Sequence, residues 1–109
     1  MSIRVAEAGR HWIANAQENN LERTTIEHYQ YLLDAHIAPF LGAVKLSRLT
    51  EPMVKEFRSK LIDGAAAPDG ESGIKRSSSM VTRVVRALSM ILADAMEAGS
   101  VAQNVCRVA

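Results

Sequence analysis

The stretch Ser77–Gly99, SSSMVTRVVRALSMILADAMEAG, decides the fold. At 100° per residue, Val81, Val84, Val85, Leu88, Leu92 and Ala95 fall on one face, while Ser79, Thr82, Arg83 and Arg86 gather on the opposite one. Ser77, Ser78 and Ser79 supply N-terminal caps, because a serine oxygen accepts from the free N–H groups of a first turn; Gly99 suits the C-terminal stop. A long helix with such a seam requires other apolar faces to cover it.

Three further helices are expected to provide them. In Ile3–Asn19, Val5, Ala8, Trp12, Ile13 and Ala16 recur at helical spacing. Thr24 stands three residues before Glu27, the capping-box arrangement, so the second helix should begin there with Ile26, Tyr29, Leu33 and Ile37 inward. Pro39 disfavours a helical Ala38, and Gly42 follows, which predicts an end near His36–Ala38 with Phe40 and Leu41 plugging the core. Thr50 before Glu51-Pro52 caps a third helix running to about Asp63, with Val54, Phe57, Leu61 and Ile62 inward and Lys55, Arg58 and Lys60 interleaved with Glu56. Residues 64–76, which begin with Gly, Ala, Pro and acids lacking periodicity, are expected to form a mobile loop before the long fourth helix. Strand-like alternation is missing throughout, so the fold class is all-α.

With 109 residues and 48% apolar content, one shared core is the expectation, hence a single domain over 1–109. The formal net charge of +1 excludes a globally basic tail, so any affinity for a polyanion has to come from charge placement. Cys106 is the only cysteine, which rules out an internal disulfide and fits a reducing, cytoplasmic setting. No secretory signal or membrane-length apolar run is present, and no metal-ligand spacing, so neither metal nor cofactor is expected.

Charge placement is informative in one region. From Ile74 to Arg86 the chain carries Lys75, Arg76, Arg83 and Arg86 and no acid. Arginine forms forked hydrogen bonds to phosphate or guanine, and N–H groups at a helix start attract phosphate oxygens, so the composition suits a helix entering a nucleic-acid groove. The same residues could equally be a solvated helix face, and composition alone leaves both readings standing.

Other candidates carry less. Tyr29 and Tyr31 lack the cluster of Arg, Lys and His that would activate a nucleophile, and Tyr29 reads as core. His11, His28 and His36 lack ligand spacing, and Cys106 has no neighbouring base. No catalytic residue is assigned.

Taken in order, several pieces resemble the SAM-like core-binding domain at the N-terminal side of tyrosine recombinases, the phage integrase family. They are Thr25 with Tyr29; His36-Ile37-Ala38-Pro39-Phe40-Leu41-Gly42; Leu46; Leu49-Thr50 with Val54 and Phe57; Arg83, Leu88, Ile91-Leu92 and Ala95; and Gly99-Ser100-Val101 followed by Asn104. Two departures are Val105, where the family favours proline, and a connection over 64–73 longer than is typical.

The resemblance implies a compact four- to five-helix bundle that clamps duplex DNA at a recombination site, with the second and fourth helices facing the DNA. Carried over by position, it implies contacts from Thr24, Thr25 and His28, and from Arg76, Ser77, Ser78, Ser79, Thr82, Arg83 and Arg86, to which the acid-free charge run adds Lys75. It also implies a longer parent chain with a C-terminal catalytic domain, assembly as a tetramer on DNA, and no active site in this domain. The alternatives are a helical protein–protein interaction module, marked by a contiguous apolar patch, and a helix-turn-helix repressor, for which no tight glycine turn is evident.

Overall fold

Among residues 3–64 and 77–99, which the computed structural model describes, the chain forms helices joined by short connections. In order they are α1 (Val5–Glu18), α2 (Arg23–Leu32), a π-helical turn (Leu33–Ile37), α3 (Ala38–Leu41), a 3-10 turn (Leu46–Arg48), α4 (Glu51–Asp63) and α5 (Ser78–Glu97). No strand occurs among these residues beyond an isolated antiparallel bridge between Arg4 and Lys45. A Cα radius of gyration of 13.2 Å matches the roughly 13 Å of a compact chain this long.

α5 is the element the others cover. Val81, Val84, Leu88, Leu92 and Ala95 are buried as the spacing predicts, and Ala87 and Ile91 join them, while Val85 is only half-buried at the edge. The seam is wider than the sequence pattern alone defines because α1, α2, the π turn and α4 all pack on this helix. Its ends form as anticipated. Ser77 Oγ accepts from the Met80 N–H at 3.2 Å, and after the last turn Gly99 takes φ +78 with its N–H donating to the Met96 carbonyl.

The second helical segment departs from expectation at both ends. It starts at Arg23, not Thr24; Glu22 occupies the cap position without a side-chain bond, and Glu27 pairs with Arg23 at 3.0 Å instead of closing a capping box. At the other end Pro39 does not stop the helix. The chain stays helical to Leu41, with the π turn inserted just before. A proline lacks the N–H an α-helix would use there and its ring crowds the carbonyl four residues back; a wider turn relieves both demands. The same turn sets Tyr31 and His36, five residues apart, edge to face at 5.2 Å.

Packing between elements is carried by a few close contacts. Trp12 of α1 stacks on Tyr29 of α2 with ring centroids 4.3 Å apart, and Phe40 of α3 meets Phe57 of α4 edge-on at 5.7 Å. α4 begins at the Thr50 cap, whose hydroxyl accepts from the Met53 N–H, and stops at Gly64 with φ +73. Ile62, expected inward, is 46% exposed because the helix turns it 100° away from the fully buried Leu61. Beyond Gly64, the loop expected over 64–76 lies outside the described residues. No described helix is long and apolar enough to cross a membrane.

α1 approaches the π turn closely at Gly9. A Cβ there would stand 2.5 Å and 2.9 Å from the two terminal methyls of Leu33, itself 2% exposed. Overpacking of this kind costs about 1–3 kcal/mol, so Gly9→Val should lower the unfolding free energy by about 2 kcal/mol, measured by urea unfolding. Adding Leu33→Ala removes the atoms a Cβ meets, so the double variant should be more stable than the sum of the single losses implies. Strict additivity would show that the two positions do not press on one another.

Candidate nucleic-acid interface

The cationic face of α5 is laid out by the same periodicity that buries its seam. Ser79, Arg83 and Arg86 follow one another by four and three residues, and all three are exposed, as are Ser77, Ser78 and Thr82. Neither arginine forms an ion pair among the described residues. From Ser77 onward the first acid on this helix is Asp94, and the Asn15 amide donates to its carboxylate at 2.6 Å. The N-terminal three turns of α5 therefore carry cations and no acid of their own.

The serines and threonine are not equivalent. Ser77 Oγ accepts from Met80 N–H, so its own hydroxyl proton is available for a phosphate oxygen. Thr82 Oγ1 already donates to the Ser78 carbonyl at 3.0 Å and could donate outward only by breaking that bond. The amide groups of Ser78 and Ser79 precede the first intrahelical donor, Val81, which bonds the Ser77 carbonyl. They point out of the helix start, where the macrodipole favours an anion.

The expected contributors on α2 present a weaker case. Thr24 is exposed, and Thr25 and His28 are half-buried. Glu22 and Glu27 flank them, and the positive charge of Arg23 is neutralised by Glu27. The two helices meet where the Tyr29 hydroxyl donates to Met90 Sδ at 3.9 Å. Thr25 lies one turn before Tyr29, and Arg86 one turn before Met90. Ser77, by contrast, is thirteen residues from Met90, or about 20 Å along the axis. Along α5 alone, Ser77 to Arg86 spans nine residues, about 14 Å of axis, a strip and not a pocket, which suits a polymer with a charge about every 3.4 Å per strand better than a small ligand. Lys75 and Arg76 lie outside the described residues.

Tyr29 is half-buried and stacked on Trp12, and Tyr31 stands 52% exposed beside His36. Among the described residues, no group of three or more His, Cys, Asp and Glu side chains is arranged to hold a metal ion.

Capping and surface charge separate cleanly on α5. Ser77→Ala should cost about 1 kcal/mol of stability through the lost cap, whereas Arg83→Ala and Arg86→Ala, exposed and unpaired, should each change it by less than about 0.5 kcal/mol. Thermal melts of the three variants check this division.

A family model described as phage integrase, N-terminal SAM-like domain, matches residues 6–62, just over half of the chain. The matched span runs from the first turn of α1 almost to the end of α4; α5 lies beyond it. No curated protein and no solved structure matches the chain significantly. The all-helical architecture and the matched span agree, and the chain belongs to the phage integrase N-terminal SAM-like domain family.

Proposed function

We propose that the chain is the core-binding domain of a site-specific tyrosine recombinase and holds duplex DNA at the recombination site. The observation that carries the reading is the exposed, acid-free strip of α5, from the open amides of Ser78 and Ser79 through Arg83 and Arg86. Contacts of this kind fall mainly on phosphates, which set orientation and register and carry little sequence information. The domain acts as one half of a clamp, with Thr24, Thr25 and His28 of α2 as secondary contacts. Strand cleavage belongs to a C-terminal catalytic domain of the parent chain, and the tetrameric synapse to the assembled recombinase.

The competing docking reading receives less support. Among the described residues, the large apolar side chains that remain exposed, Leu21, Tyr31, Ile62 and Met96, sit on four different segments and give no continuous apolar face on any one helix.

The test is the salt dependence of duplex binding by fluorescence anisotropy. Arg83→Ala and Arg86→Ala should each weaken binding and reduce the slope of log K against log salt concentration by about 0.9, one phosphate contact apiece. Affinity and slope unchanged in both variants would remove the α5 strip from the interface.

A further inference from the structure

Away from α5, three cations separated by up to 44 positions in the chain converge on one cleft. Arg4, Lys45 and Arg48 line it together with Ala43, Val44 and Met53, and among the described residues no carboxylate contributes to the lining. No residue of α2 or α5 lines it either, so it is a surface separate from the strip already described. All three cations are exposed, and none forms an ion pair among the described residues.

The backbone positions that carry these charges are tied together, which distinguishes the cleft from a scatter of surface lysines. Residues 3–6 and 42–46 are laced by hydrogen bonds from Val5 N–H to the Val44 carbonyl at 2.9 Å, Ala6 N–H to Gly42 at 3.2 Å, and Leu46 N–H to Ile3 at 2.9 Å. Arg4 and Lys45 face each other across this bridge, and one guanidinium nitrogen of Arg4 donates to the Ala43 carbonyl. Arg48 sits on the 3-10 turn, whose N–H to Lys45 carbonyl bond at 2.9 Å ties it to the same frame. The acid at the start of α4, Glu51, is engaged by Lys55 at 3.2 Å. An anion entering the cleft would therefore meet the Arg4 guanidinium, held at Ala43, with the Lys45 and Arg48 head groups within the same lining, and the remaining fork of Arg4 can bind a phosphate through two N–H groups.

We propose that this cleft is a second phosphate-binding surface, which contacts duplex DNA outside the reach of α5. The proposal rests on the DNA-binding reading above and extends it from one strip to two independently placed basic surfaces. Two such surfaces on one small domain allow it to touch either two turns of one duplex or two duplex segments.

The experiment uses the 109-residue chain and a fluorescein-labelled, mixed-sequence duplex, titrated at several salt concentrations. Arg4 is left intact because it also holds the Ala43 carbonyl. Lys45→Gln/Arg48→Gln should weaken binding and flatten the salt slope by about 1.8, two phosphate contacts; Arg48→Gln alone should give about half of that. An unchanged slope in the double variant overturns the proposal, whatever happens at α5. Binding of an Asp/Glu-rich peptide by the unsubstituted 109-residue chain, lost in that variant, would then assign the cleft to an acidic protein segment. If Arg83→Ala/Arg86→Ala leaves binding intact while the cleft variant lowers it, the α5 reading fails and the cleft stands.

Discussion

Burial of one face of α5 is the constraint on which the rest of the structure depends. Val84, Ala87, Leu88 and Ile91 are fully removed from solvent, and burying each of the larger side chains contributes about 1.5–3 kcal/mol. Covering so wide a seam takes α1, α2, the π turn and α4 together. It also leaves the opposite face of α5 in water, where Arg83 and Arg86 keep their hydration and can exchange it for phosphate oxygens on binding. Fold and proposed function are thus two sides of one helix.

The irregular segments exist to serve that packing. A straight α-helix from Arg23 to Leu41 would clash at Pro39; the π turn absorbs the proline and still delivers Leu33 and Ile37 into the core. Gly9 lets α1 close on Leu33. The hydrogen bonds between residues 3–6 and 42–46 then tie the entry of α1 to the connection before α4.

Electrostatically the domain is divided, not neutral. Arg23–Glu27, Lys55–Glu51 and Lys60–Glu56 are i,i+4 pairs on helix surfaces, each worth only about 0.3–0.5 kcal/mol, and they cancel charge along the flanks of α2 and α4. Of the described cations outside these pairs, Arg10 and Arg58 stand singly on α1 and α4, and the others gather on the α5 strip and in the Arg4–Lys45–Arg48 cleft. A net charge of +1 therefore conceals two local positive fields that a long-range polyanion would sense and salt would screen.

Local periodicity and capping made much of this legible in the amino-acid sequence: the all-α class, the seam of α5, its start among Ser77, Ser78 and Ser79 and its stop at Gly99, the Thr50 cap, and the polar face with Arg83 and Arg86. These depend on residues within a few positions of one another, where 3.6-residue geometry is decisive. The continuation of helix past Pro39 was not legible, because a proline ordinarily ends a helix and only the packing of Leu33 and Ile37 rewards the wider turn. Ile62 was misread for a similar reason: nothing local says that the apolar face of α4 ends at Leu61. Nor could the sequence show that Thr82 spends its proton on Ser78, or that Glu27 turns to Arg23. The cleft lies furthest from sequence reading, since Arg4 meets Lys45 and Arg48 only after α1 and α2 have folded back to bring chain positions some forty residues apart side by side, and such encounters are decided by tertiary closure alone.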